Sequence, residues 1–422
     1  MSIKSKYDVI VIGGGASGMM AAGRAAERGR RVLLLEKNKE VGKKLSITGG
    51  GRCNILNAEP DTRKLLSHFG EAAKFLHSPF SQHSMQDSWD FFTTRNLPLV
   101  VEARKRAFPQ SMQATDVTAV MRRYMVDNRV EIKAGHPVVG IEMDGETLVG
   151  VRTKNGDVYQ AAAYIFATGG ASHQETGSTG ESLDWLAHIG YQVHEANPNL
   201  VPLVVEEDWV KKLSGTTLSF MKITFGVNLP KATKDVPGKF SRVGKILFTH
   251  FGVSGPLILN AAHEVKKLLR KGPVFANIDM YPDTEIGTVR NRVLEVCLQN
   301  KNKSLKNIIK EFVPAGMVDG VLAHVDKELQ EERVHSISKE EREALADLLK
   351  SMPITITGTM GLDWAVLSDG GVDLSEVDTK TMRSRRHENI FFTGDMLHIN
   401  RPSGGYSLQL CWTTGWVAGS SV

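Results

Sequence analysis

The chain has 422 residues, 41% of them hydrophobic, with 52 Lys and Arg against 47 Asp and Glu for a formal charge of +5. That length supports two or three domains with sizeable cores, and the mild basic excess suits anionic ligands without arguing by itself for nucleic acid. Cys53, Cys297 and Cys411 lie far apart with no Cys-x-x-Cys spacing, so neither a disulfide framework nor a zinc or iron–sulfur site is expected, and no metal site is predicted.

The start, Met1 to Lys6, runs straight into an apolar strand, and no apolar run reaches membrane-span length. No signal peptide or membrane partner is expected, and a cytoplasmic location is predicted. Asp8-Val9-Ile10-Val11-Ile12 reads as a buried parallel strand delivered into Gly13-Gly14-Gly15-Ala16-Ser17-Gly18, a Gly-x-Gly-x-x-Gly turn. Gly13 permits the tight turn, Gly15 lets backbone approach a pyrophosphate, and Gly18 lets the next helix pack close. The helix Ala16 to Arg28 then aims its free N–H groups and positive dipole end at phosphate. A second apolar strand, Arg31 to Leu35, ends in Glu36, placed for the ribose hydroxyls of an adenosine. The motif alone does not separate NAD from FAD.

Further along, Thr48-Gly49-Gly50-Gly51-Arg52-Cys53-Asn54 crowds three glycines into one loop, a costly choice unless backbone must approach something flat. Val138 to Met143 and Val149 to Thr153 predict a hairpin, followed by a strand over Ala163 to Ala167 that ends in Thr168-Gly169-Gly170. From about 196 to 283 the pattern turns β-rich, with strands Val201 to Val205, Leu218 to Asn228 and Val243 to Thr249, then a helix capped by Ser254 and entered at Pro256. Between about 286 and 350 amphipathic helical segments follow, Val289 to Leu298, Leu305 to Phe312 and Lys339 to Leu349. After Ile354 to Thr357 the first style returns, and the strand Asn389 to Thr393 meets Gly394-Asp395 before a final helix from about Gly405.

Those distant elements decide the cofactor. A strand followed by Gly394-Asp395 places a carboxylate for the ribityl chain that FAD has and NAD lacks. Pro402-Ser403-Gly404-Gly405-Tyr406-Ser407-Leu408 opens the last helix, whose N–H groups would face the flavin ring and steady negative charge on it.

Through Gly13 to Gly18, Thr48 to Asn54, Ala167 to Gly170 and Asn400 to Tyr406, the chain resembles from end to end the bacterial NAD(P)/FAD-dependent oxidoreductases of the BaiN/YhiN type. The resemblance implies non-covalent FAD and a discontinuous Rossmann-like α/β FAD-binding domain, with an inserted β-barrel-like domain and a small helical insert. The corresponding boundaries are 1–195 and 355–422 for the FAD domain, 196–285 and 350–356 for the β-rich domain, and 286–349 for the helical insert. A wider resemblance, to fumarate reductase and aspartate oxidase flavoproteins, rests on Ala167 to Gly170 followed by Ser178-Thr179-Gly180-Glu181. Covalent members of that superfamily carry a histidine just before the glycine loop, whereas Ser46-Ile47-Thr48 has none.

The expected cofactor-binding set is Gly13, Gly15, Ala16, Ser17, Gly18, Glu36, Lys37, Lys43, Thr48, Gly49, Gly50, Arg52, Cys53, Asn54, Val138, Ala167, Thr168, Gly169, Gly394, Asp395, Gly404, Gly405, Tyr406, Ser407 and Leu408. Cys53 lacks the second thiol of a redox pair, so a packing or cofactor contact is expected of it. His250 could reach over a flavin and donate a proton, as could, more weakly, His173, His398 and Arg401; a loop histidine is more often structural, and no catalytic residue is assigned. No second Gly-x-Gly-x-x-Gly follows a strand, so NAD(P)H is expected as a transient co-substrate. The leading function is an FAD oxidoreductase acting on a small molecule, reducing a polarised double bond. Flavin-dependent RNA modification and a non-enzymatic flavin redox sensor are the alternatives, with nucleic acid not the expected partner.

Overall fold

The computed structural model describes residues 7–227 and 238–422. The expected lead-in Met1 to Lys6, and Asn228 at the end of an expected strand, lie outside them. The chain divides into two compact units, Met1–Pro198 with Val366–Val422, and Asn199–Ala365.

In the first unit, five parallel strands run in the order Ile390–Phe392, Ala161–Phe166, Tyr7–Ile12, Val32–Glu36 and Glu131–Ala134. Tyr7–Ile12 and Val32–Glu36 are apolar almost throughout, as a parallel sheet covered on both faces requires. Asp8 is the exposed exception, and its carboxylate accepts from the Arg31 N–H at 2.7 Å. The strand closest to the C-terminus therefore completes a sheet nucleated at the N-terminus. Against the sheet lies the first helix, Ala16–Glu27, packed on the C-terminal helix Tyr406–Ser421. Their approach is very close: a Cβ on Gly415 would fall 2.5 Å from the Ser17 carbonyl oxygen, and one on Gly419 would fall 2.4 Å from that of Ala21. The expected hairpin forms as Val138–Asp144 and Thr147–Thr153. Residues between the glycine loop and the hairpin, for which no element was predicted, supply helices at Ala73–Gln82, Met85–Thr93 and Ala114–Asp127.

In the second unit six antiparallel strands close a barrel, in the order Leu203–Val205, Gly252–Ser254, Lys239–Thr249, Thr217–Gly226, Val274–Asp279 and Met352–Thr359. The helix Pro256–Leu269 has Pro256 in its first turn, as predicted, but Gly255 rather than Ser254 is its cap, with left-handed φ of +94°. A Cβ there would come within 2.9 Å of the Leu247 nitrogen, so only glycine fits. Leu257, Ile258, Ala261, Ala262, Val265 and Leu268 form its buried stripe. Val289, Val293 and Cys297 of helix Ile286–Gln299, and Leu345, Ala346 and Leu349 of helix Lys339–Lys350, join the same apolar cluster as the barrel interior. No helix among the described residues is long and apolar enough to cross a membrane.

Candidate functional site

The site lies in the first unit and begins where Tyr7–Ile12 enters the first helix. Gly13 has φ of +103°, and a Cβ there would stand 2.5 Å from the Ala167 carbonyl oxygen; one on Gly18 would stand 1.9 Å from the Gly13 oxygen. Gly15 is different. Its Cβ would meet nothing within 4 Å, so its missing side chain leaves open space rather than relieving a contact inside the protein. Gly15 also caps the first helix in extended backbone, with no side-chain cap and no acidic residue in the first turn. Ala16 and Ser17 thus begin a helix whose positive end is left for an anion.

Glu36 is buried and hydrogen-bonded on both oxygens. Oε2 accepts from the Gly14 N–H at 2.7 Å, while Oε1 accepts from the Asn38 N–H and side-chain amide, each at 2.7 Å. The carboxylate therefore shapes the glycine turn directly. Its carbonyl accepts from the His136 N–H at 2.9 Å, which ties the start of the hairpin, with Val138 buried, to the end of this strand.

Two loops are stitched together beside it by lysines. Lys37 Nζ donates to Thr179 Oγ1 (3.0 Å), Lys43 Nζ to the Glu175 carbonyl (2.7 Å), and Lys44 Nζ to the Ser172 carbonyl (3.0 Å) and hydroxyl (2.8 Å). Lys44 was not among the expected residues. Burial lowers its pKa, opposed by the negative charge of Asp395. The only signal for it in the sequence is its place beside Lys43, with a buried Leu45 following. On the facing loop Thr168 Oγ1 lies 2.5 Å from Ser182 Oγ, and a Cβ on Gly169 would reach Ser178 Oγ at 3.0 Å.

The glycine loop is left-handed on either side of Arg52: after extended Thr48, φ is +58° at Gly49, +68° at Gly50, +82° at Gly51 and +58° at Cys53. Positions 50 and 51 face open space, as Gly15 does. Cys53 is fully buried and its thiol is pushed up to about 12 by burial, so it is protonated at neutral pH and unsuited to redox chemistry. Arg52 donates to Glu102 Oε1 at 2.9 Å, with its guanidinium 4.4 Å from the Phe108 ring centroid. The Asn54 amide, assigned from its partners, accepts from the Gly405 N–H at 2.9 Å. Asn57 donates to the Gly404 carbonyl at 3.0 Å, and Trp412 Nε1 to that of Ile55 at 2.9 Å. Residues from both ends of the chain are thereby fastened into one wall.

The last part of that wall contains a charge pair in which Arg401 is buried and Asp395 half-buried. Gly394 has φ of +57°: its N–H donates to Thr414 Oγ1 at 2.9 Å, and a Cβ would press on Ser17 Oγ at 2.7 Å. Next to it, Asp395 Oδ1 accepts from Arg401, whose Nε donates to Ser407 Oγ at 3.1 Å. Arg401 thus holds the carboxylate that the sequence assigns to a polyol, rather than acting as an open cation. Gly404 and Gly405 have φ of +124° and +96°, and Gly405 caps the C-terminal helix with no side-chain cap and no acid in its first turn. Tyr406 is buried, with its ring 4.8 Å from that of His68, and Leu408 is half-buried.

None of the loop histidines stands as an open acid in this wall. His173 Nδ1 lies 3.0 Å from Glu175 Oε1. His398 stacks on His194 at 3.9 Å, and His194 Nε2 is 2.6 Å from Asp373 Oδ2. His250 is exposed in the second unit, with its ring edge-on to Phe251.

A glycine turn at a helix start, joined to a strand–Gly–Asp turn and a second uncapped helix, defines a Rossmann-type oxidoreductase of the flavin-dependent class. Residues 7–421 match the HI0933-like protein Rossmann domain family, and the chain belongs to it; membership implies FAD. Over 423 residues, 99% of this chain and 98% of the relative, it is 26% identical to the ribosomal RNA dihydrouridine synthase of Escherichia coli (strain K12). It is 27% identical over 421 residues, 98% of both chains, to the 3-dehydro-bile acid delta(4,6)-reductase of Clostridium scindens. The open conformation of a flavocytochrome c3 fumarate reductase shares the fold, with a TM-score of 0.54 at 14% identity, covering 100% of this chain and 78% of that one.

Proposed function

We propose that the protein is an FAD-dependent reductase that saturates a carbon–carbon double bond conjugated to a carbonyl, with NAD(P)H as a transient electron donor. One observation carries this reading. Two full-length relatives bear names with unrelated substrates, yet the names share one bond type. Dihydrouridine differs from uridine by a saturated ring bond next to a carbonyl, and a delta(4,6)-reductase acting on a 3-dehydro compound removes unsaturation conjugated to a ketone.

The residues present fit FAD, since Gly15, Gly50 and Gly51 leave space that no protein atom fills. Bound FAD would supply the two-electron chemistry; the protein supplies binding, orientation and electrostatics. In this reading Gly13, Gly15, Ala16, Ser17 and Gly18 hold the diphosphate, Glu36 the adenosine ribose, with Lys37, Lys43, Val138, Ala167, Thr168 and Gly169 bordering that half. Gly394 and Asp395, the latter oriented by Arg401, take the ribityl chain. Thr48 to Asn54 and Gly404 to Leu408 enclose the ring, where the C-terminal helix opposes developing negative charge with its positive end. A soluble small molecule is the simpler substrate. A uracil ring in RNA is the second reading, favoured by the charge distribution of the barrel unit.

Anaerobic titration tests the proposal. NADH or NADPH should bleach the flavin of the reconstituted protein, and an enone or a uracil-containing RNA should restore the colour. Absence of bleaching with both nicotinamides removes the donor. A reduced flavin that no conjugated acceptor reoxidises, while oxygen does, removes the double-bond chemistry.

A further inference from the structure

We infer that the outward face of the barrel strands Thr217–Gly226, Lys239–Thr249 and Val274–Asp279 is a docking surface for single-stranded RNA. The choice of RNA rests on the reduction proposed above, because uracil carries a conjugated double bond; the surface itself stands on charge and exposure.

Positive charge is not spread evenly. Residues 217–227 and 238–272 contain eight Lys and Arg against Glu264 alone, and the rest of the chain has an excess of two negative charges. Lys222, Lys239, Arg242 and Lys245 stand on the hairpin strands themselves, and Lys266, Lys267, Arg270 and Lys271 lie on or just after the helix Pro256–Leu269. Register puts Phe275, Gly226 and Lys239 in one row across the three strands, Asn277, Thr224 and Ser241 in the next, and Asp279, Lys222 and Val243 in the third. Beyond a bulge between Leu218 and Met221 come Phe220 and Lys245. Asp279, the acid on these rows, is matched by Lys350 at 2.8 Å, and Arg242 at the hairpin is matched by Glu264 at 2.6 Å.

Large apolar side chains stand exposed among those lysines. Phe220 is 74% exposed, Val243 53% and Phe275 49%. Phe220 also has φ of +58°, a left-handed conformation that disfavours a bulky residue, so the bulge presents its ring to solvent at a conformational cost. Aromatic rings on a sheet surface offer platforms for unstacked bases, lysines meet the phosphates, and the middle row of amide and hydroxyl groups faces base edges. A second copy of the chain fits less well, since a two-fold contact would set this basic patch, with Lys222, Lys239 and Lys245, against itself. A lipid surface fits less well too, because polar side chains interrupt the apolar ones.

The test uses oxidised FAD-loaded protein without nicotinamide, and a fluorescent oligouridylate of about 12 nucleotides, within the usual span of single-strand sites. Anisotropy should show binding that weakens with salt, by ~0.7 in the logarithmic slope for each phosphate contacted. Phe220→Ala should weaken it roughly 5- to 100-fold, as for one lost stacked base. Lys222→Glu with Lys239→Glu and Lys245→Glu should weaken it further and lower the slope, while the flavin spectrum and small-enone reduction stay as in the parent. The inference is overturned by wild-type protein that leaves the RNA free, by variants that bind as tightly as the parent, by capture of anionic phosphatidylserine vesicles instead of RNA, or by a dimer that Phe220→Ala dissociates without altering RNA affinity. Enone turnover without RNA binding overturns the surface alone, and RNA binding without reduction of any acceptor overturns the chemistry alone.

Discussion

Gly15 and Gly18 sit three residues apart and lack side chains for opposite reasons. Gly18 is required by the fold, since its Cβ would collide with the Gly13 carbonyl; Gly15 has ordinary φ of −78° and empty space in front of it. Gly15→Ala should therefore leave the thermal midpoint of the FAD-free protein within about 2 °C, a change near 0.5 kcal/mol, while lowering FAD affinity at least about tenfold, or 1.4 kcal/mol. Gly18→Ala should lower both. Fluorescence titration of FAD alongside thermal unfolding checks the contrast, and equal behaviour of the two variants would contradict it. At this scale the sequence identifies residue types well and their partners poorly. Glu36 could be picked out as the acid closing a strand, but its grip on the Gly14 N–H and on Asn38 depends on how the two loops meet. Arg52 is an expected cofactor contact because its neighbours are glycines, but its contacts to Glu102 and Phe108, about fifty residues downstream, could not be read there.

At the level of elements, hydrophobic periodicity was sufficient for strands buried on both faces and for the helix Pro256–Leu269. It was silent over residues 55 to 135, where short helices and the small antiparallel sheet of Leu56–Asn57, Leu99–Glu102 and Arg106–Pro109 carry mixed apolar and polar runs. The C-terminal helix could be located, but not the reason for Gly415 and Gly419, which becomes visible only when the first helix is laid against them. Gly419→Leu places a branched side chain against a backbone carbonyl that cannot retreat without moving the first helix. It should cost about 2–3 kcal/mol and lower the midpoint by roughly 5–10 °C, with loss of FAD affinity because both helices start at the wall. Ser420→Ala, which removes only the 2.8 Å hydrogen bond from Arg24, is the mild control. Calorimetry of the two variants decides the matter, and a Gly419→Leu protein as stable as its parent would contradict the packing.

Over the whole molecule, acid should be destabilising well above the carboxylate range, because burial lowers the pKa of His83, and likewise those of His387 and His398. His83 is stacked on Trp416 at 5.1 Å, its Nε2 has no partner among the described residues, and burial pushes its pKa down from 6.5 to about 4. The folded state thus binds a proton less readily than the unfolded chain. The contribution is fully present above pH 6.5 and is lost as pH falls toward 4, with a ceiling on the order of 3 kcal/mol. His83→Phe should flatten the stability profile across that window in denaturant titrations, and an unchanged slope would exclude His83 as its source. The sequence changes texture near residue 196, and the compact units divide at Pro198. That the charged helices share a core with the barrel was not readable, because amphipathic stripes say that a face is buried without saying against what.

The sheet and the wall both need Ile390–Phe392 and the helix ending at Ser421, while Tyr7–Ile12 is made first. During translation Ala161–Phe166 must therefore wait, its parallel neighbour Ile390–Phe392 more than two hundred codons away, and the helix Tyr406–Ser421 follows later still. The barrel, contiguous in sequence between 199 and 365, faces no such delay and can mature while the message is still being read. Capture of the nucleotide should therefore wait until residues 390–421 have been made, and nascent chains stalled before residue 390 should emerge pale.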